Sequence, residues 1–233
     1  MYAEPDEDGL RRCPVCRRVT RPFERAVAYG SYDGALRELI HLLKYNGVQP
    51  AARVLGRMLA EAITPMDSCF DQEHVLVIPV PLFRGKSRQR GFNQAEMILR
   101  EALRTFSGTR FELNTGILAR IRDTHSQIGL TSHQRRENMR GAFKVTRAEQ
   151  VTGREVLLVD DVYTTGTTVS ECAKVLRRAG AAKVWVATVA RTLKLASKYQ
   201  ELGKIDAPEN QVSTFQSFNV SQQETIDLET LKP

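Results

Sequence analysis

Residues 156–169 read VLLVDDVYTTGTTV: four apolar residues, two adjacent carboxylates, then a loop given over to threonine and glycine. The apolar half reads as a buried strand. The acids Asp160 and Asp161 do not belong to that pattern, because carboxylates at the end of an apolar run cost free energy unless something binds them. From Thr167 the periodicity becomes helical, up to about Ala179, with Gly180 as a stop. Acids and loop therefore fall between a buried strand and a helix N-terminus, where parallel α/β sheets hold their ligands.

Working outward, "RAVAYGSY" (25–32), "HVLVIPVPL" (74–82) and "AKVWVATVAR" (182–191) read as further strands. "ALRELIHLLKY" (35–45), "PAARVLGRMLAEAI" (50–63) and "NQAEMILREALRTF" (93–106) read as amphipathic helices, with Pro50 at the start of the second and Asn93 as the cap of the third. Strands that alternate with helices imply a parallel sheet with helices on both faces. Residues 107–145 are less regular and rich in arginine, and residues 193–233 lose apolar periodicity and read as a polar, flexible tail. The expected organisation is an N-terminal region over 1–24, one α/β domain over 25–192, and the tail.

Composition narrows the class. The 233 residues are 42% hydrophobic and 26% charged, as expected of a folded globular chain. No stretch approaches the ~18 uninterrupted apolar residues of a membrane span. The acidic start MYAEPDEDGL is unlike a signal peptide, so a cytoplasmic protein is expected. Net charge is +7; the tail, with four Lys and six Asp or Glu, accounts for about −2, so residues 1–192 carry about +9. Such a body attracts anions, whether phosphorylated small molecules, nucleic acid or anionic lipid. Cys13 and Cys16 form a CPVC with zinc-knuckle spacing, half of the four-ligand set that a closed Zn²⁺ site needs.

The chemistry of the quoted loop follows from its residue types. Gly166 permits a tight turn, and successive N–H groups at the positive end of a helix form a phosphate site. Thr164, Thr165, Thr167 and Thr168 add hydroxyl donors. Two acids repel a phosphate, so Asp160 and Asp161 should face a neutral donor, for which a vicinal diol is suited. A ribose 5-phosphate unit presents both features. No GxxxxGK[ST] is present, which disfavours direct nucleotide hydrolysis.

This motif resembles the 5-phosphoribosyl-1-pyrophosphate (PRPP) signature of the type I phosphoribosyltransferases. Three further stretches, YDGALRELIHLLKYNG (32–47), IPVPLFRGKSRQRGFNQAEMI (78–98) and RIRDTHSQIGLTSHQRRENMRGAF (120–143), are similar to blocks of the bacterial competence protein F family. The resemblance implies a parallel-sheet type I phosphoribosyltransferase fold with a small N-terminal CxxC and hood region. It implies that Asp160 and Asp161 hold the ribose hydroxyls, that residues 164–168 cradle the 5′-phosphate, and that Mg²⁺ accompanies PRPP.

The pyrophosphate loop is then expected in the Pro79–Leu82 turn, at Val80 and Pro81, with Arg84, Lys86, Arg88 and Arg90 as nearby cations. Segment 120–143 is long enough for a lid, with Arg120, Arg122, Thr124 and Gln127 as contact candidates. Asn93 and Gln94 are further candidates, although a helix cap is the commoner task for Asn93. Members of the family usually carry additional CxxC knuckles ahead of the one seen here, a departure that bears on Zn²⁺ at Cys13 and Cys16.

The acceptor stays unnamed. A second reading in the sequence is an accessory protein of DNA uptake that binds single-stranded DNA or competence-machinery proteins without turnover. A homodimer is also compatible, since dimers are frequent in this fold.

Overall fold

Five strands line up in the computed structural model in the order β1 (Ala26–Ser31), β7 (Lys183–Arg191), β6 (Glu155–Tyr163), β2 (Val75–Pro79) and β3 (Phe111–Leu113), every neighbouring pair parallel. The structure describes residues 21–124 and 131–192. The strand that carries Asp160 and Asp161 is central: Leu158 aligns with Ile78 of β2 on one side and Val186 of β7 on the other.

A parallel sheet must be covered on both faces, which is why its strands read as continuous apolar runs. Leu157 and Val159 pack among α1 (Gly34–Asn46), α2 (Gln49–Ile63) and α4 (Gln94–Leu103), against Ile40, Leu43, Leu55, Leu59 and Ile98. Val156 and Leu158 point the other way, against Val169, Cys172 and Leu176 of α6 (Thr167–Arg178). That face also receives an antiparallel hairpin of β4 (Leu118–Arg120) and β5 (Phe143–Val145) through Leu118 and Phe143. Each such buried Leu or Val contributes roughly 1.5–3 kcal/mol of transfer free energy.

Two segments differ from the sequence expectation. The basic stretch after Pro81, assigned no element from its pattern, is a short helix, α3 (Arg84–Arg90), with no buried residue. It has no apolar stripe, so hydrophobic periodicity could not reveal it. Residues 107–145 hold β3, β4, β5 and a helix α5 (Ser132–Met139). The strands are three residues each, too short for an alternation to register. Among the described residues no helix is long and apolar enough to cross a membrane.

Candidate functional site

The sheet brings the ends of β6, β2 and β7 to one edge, and the two acids stand on the central one. Strand alternation sends their side chains to opposite faces. Asp160, half-buried, continues the row of Val156 and Leu158, and its Oδ1 accepts the Asp161 N–H at 2.9 Å. Asp161, buried, continues the row of Leu157 and Val159 and meets α1, where the Lys44 ammonium lies 2.6 Å from its Oδ2. The acids therefore straddle the sheet edge rather than sharing one side.

Their electrostatic settings differ accordingly. Burial and the neighbouring Asp161 charge push the Asp160 carboxyl up to about 7, against the opposing pull of Lys44, its bond from the Asp161 N–H, and Arg120. Burial alone would lower the Lys44 ammonium, but the charge and hydrogen bond of Asp161, with the charges of Asp160 and Tyr32, raise it instead. Burial pushes the Cys172 thiol well up, with the Asp160 charge adding to the effect. It is an inert core thiol and not a nucleophile.

The loop after β6 turns within three residues. Gly166, at φ 74°, is the N-cap of α6, a conformation that residues with a side chain rarely adopt. Tyr163 closes over it: a Cβ at position 166 would stand 2.5 Å from Tyr163 Cζ. Arg21 donates to the Tyr163 hydroxyl and lies 5.9 Å from its ring centre. Thr164 is exposed, Thr165 and Thr168 are half-buried, and Thr167 is buried. The Thr165 and Thr167 hydroxyls are 2.8 Å apart.

The other sequence candidates divide. Val80 is buried at the end of β2, and its carbonyl accepts from Asn93 Nδ2 at 3.0 Å, while Asn93 Oδ1 caps α4 through the Ala95 N–H at 3.1 Å. Asn93 thus ties the turn at Val80 and Pro81 to the following helix. Gln94 is buried and accepts from Arg90 at 2.6 Å. Arg84, Lys86 and Arg88 are exposed on α3, whereas Arg90 lies over the Tyr45 ring at 5.7 Å.

From the predicted lid, Arg120 comes close enough to Asp160 for each to feel the other's charge, and burial lowers its guanidinium from the usual value. It donates to Thr124, which is buried. Arg122 instead donates to the Asn138 and Arg140 carbonyls at 2.9 and 2.6 Å, a structural tie within the segment. Gln127, Cys13 and Cys16 lie outside the described residues.

Lys44 was not among the sequence candidates. One signal for it existed: it follows Ile40 by four residues, so a cation occupies the edge of the apolar stripe of α1. Tyr32 and His41 lie beside it, the Tyr32 hydroxyl 2.9 Å from His41 Nε2, and His41 meets Tyr45 edge-on at 5.3 Å.

Comparison with known proteins agrees with this architecture. Residues 93–225 match the phosphoribosyl transferase domain. DNA utilization protein YhgH of Escherichia coli O157:H7 is 34% identical over 182 residues, which cover 78% of each chain. Competence protein F of Haemophilus influenzae is 30% identical over 187 residues, covering 78% of this chain and 79% of its own. Competence protein ComFC of Bacillus subtilis is 23% identical over 65% of this chain and 58% of its own. With its acids at the carboxyl end of a central parallel strand and its glycine turn opening a helix, this chain belongs to the competence protein F family and carries the phosphoribosyl transferase domain.

Proposed function

We propose that this protein binds PRPP with Mg²⁺ and transfers its phosphoribosyl group to a nitrogen acceptor, releasing pyrophosphate. The observation that carries the reading is the joint placement of Asp160, Asp161 and the Gly166 turn at the carboxyl end of the central strand. Asp160 and Asp161 accept from the ribose 2′ and 3′ hydroxyls. Backbone N–H groups of 164–168, with the threonine hydroxyls and the positive end of α6, hold the 5′-phosphate.

The turn at Val80 and Pro81 faces the pyrophosphate, with Arg84, Lys86, Arg88 and Arg90 as the surrounding positive charge. Breaking the C1–O bond leaves positive charge on the ribose ring and negative charge on the departing group. The acids lie near the first and the cations near the second, so the protein acts by positioning and electrostatic stabilisation. Asp160, Asp161 and the oxygens of PRPP make an all-oxygen donor set that suits Mg²⁺, which would neutralise part of the pyrophosphate charge when bound. Arg120, Thr124 and Gln127 belong to the segment that would close over the centre and exclude water. Zn²⁺ at Cys13 and Cys16 would need two further ligands.

Calorimetric titration of PRPP with Mg²⁺ tests the reading. Saturable binding is expected in the wild type and is lost, by at least roughly a hundredfold in affinity, in Asp160→Asn/Asp161→Asn. Absence of binding in the wild type would overturn it. The second reading, a DNA-uptake accessory protein that binds single-stranded DNA or protein partners without turnover, draws support from the names of the relatives and from the exposed cations Arg84, Lys86 and Arg88 of α3. Binding of a labelled oligonucleotide with no pyrophosphate released from PRPP would favour it.

A further inference from the structure

We infer that Lys44 is a movable counter-ion, which neutralises Asp161 when no ribose is bound and passes to the pyrophosphate of PRPP when the site fills. This rests on the phosphoribosyl reading above and adds a residue and an order of events to it.

Three observations carry the inference. Among the described residues, the buried Asp161 Oδ2 has the Lys44 ammonium, at 2.6 Å, as its one partner. A ribose hydroxyl that donates to the same carboxylate draws on the charge that holds the lysine and so weakens that hold. Lys44 has somewhere to go. It sits in the last turn of α1, and the end of that helix abuts the segment that follows β2: Arg90 lies over the Tyr45 ring at 5.7 Å, and a Cβ at Gly47 would lie 3.9 Å from the Phe92 ring. Lys44 is therefore next in sequence to the point where α1 meets the basic segment, while its ammonium is at Asp161. Its side chain is 18% exposed, so its four-carbon stem is not locked within the core.

A multiply charged pyrophosphate is a stronger partner for an ammonium than a carboxylate whose charge a hydroxyl is already sharing. The exchange would shift the last turn of α1, which also carries Tyr45; the Tyr45 ring meets His41, and His41 meets Tyr32. Filling of the PRPP site would thus be felt on the aromatic side of α1 before any acceptor arrives.

A lysine that merely pins α1 to the sheet would behave differently, and two ligands separate the cases. Ribose 5-phosphate has the diol and the 5′-phosphate but no pyrophosphate. In the wild type it must compete with Lys44 and is given nothing in return. At pH 8.5, with Mg²⁺ present, Lys44→Met is expected to bind ribose 5-phosphate several-fold more tightly than the wild type and PRPP roughly tenfold or more weakly. Lys44→Arg, which keeps the charge, should restore most of the PRPP affinity. Shifts of the same sign for both ligands, or no shift, would overturn the inference while leaving the phosphoribosyl reading in place. Failure of the wild type to bind either ligand would remove both.

Acylation of wild-type lysines followed by mass spectrometry needs no variant. Lys44 should become more reactive on adding ribose 5-phosphate and less reactive on adding PRPP. Equal reactivity in the two complexes counts against the exchange.

Discussion

Asp160 and Asp161 are chemically identical neighbours with different surroundings, and the difference is measurable. In the unfolded chain the Asp160 carboxyl titrates near the usual ~3.9, whereas in the folded protein burial and Asp161 push it up to about 7. Between these values the folded state keeps a proton that the unfolded state has lost. The stability that goes with this proton is fully present below about pH 4 and lost as pH rises through about 7. Asp160→Asn should therefore melt above the wild type at pH 8, by a few degrees, with the gap closing towards pH 4; a gap independent of pH would contradict this assignment. Asp161 is held by Lys44 at 2.6 Å, so its replacement also releases a cation and cannot be read as the loss of one carboxylate alone. At the same scale Asn93 holds two bonds, one capping α4 and one to the Val80 carbonyl. Asn93→Ala should cost about 1–2 kcal/mol in urea denaturation, and should also weaken PRPP binding, because the turn at Val80 and Pro81 loses its tie.

The elements place the site through close contacts that periodicity does not describe. Helices α2 and α4 approach at Gly56, where an added Cβ would stand 2.5 Å from Glu101 Cβ and 3.0 Å from the Ala102 backbone nitrogen. An exposed helical glycine replaced by alanine gains roughly 1 kcal/mol in propensity. Here the backbone of α4 is in the way, so Gly56→Ala should instead lose about 1–3 kcal/mol, readable as a lower urea midpoint with an unchanged slope. Since α4 also carries the buried Gln94 that accepts from Arg90, a displaced α4 should disturb the basic segment as well. The opposite face of the sheet rests on β4, β5 and α6, which bring Arg120 towards Asp160. That approach joins residues 40 positions apart in sequence, and nothing local encodes it.

For the whole molecule, a ligand that binds only the folded chain raises its melting temperature. At a hundred times Kd the linkage is about 2.7 kcal/mol, which for a body of this size corresponds to roughly 5–10 °C. PRPP with Mg²⁺ should produce such a shift in the wild type and none in Asp160→Asn/Asp161→Asn. The shift should shrink in high salt, since residues 1–192 carry about +9 and the ligand is an anion. A melting temperature that rises equally in the double variant would place the ligand elsewhere.

Much of this was legible along the chain, because burial leaves its mark on local pattern. A parallel strand covered on both sides must be apolar throughout, so residues 156–159 announced the centre of the sheet, and the acids and glycine after them announced its carboxyl edge. Helices α1, α2, α4 and α6 carried their stripes openly, and Asn93 its cap. What the pattern could not carry were the meetings between distant segments. Lys44 reaches Asp161, Arg90 covers Tyr45, Arg21 reaches Tyr163, and Arg120 nears Asp160, each across a gap that only chain folding closes. A long cation at the surface and a long cation aimed into a site look alike in one dimension, because both need the same flexible stem and the same charge. Period and composition follow from how each segment is buried, so they are written locally; partnership depends on which segments the sheet order sets side by side, and β1, β7, β6, β2, β3 is not an order in which the chain itself runs.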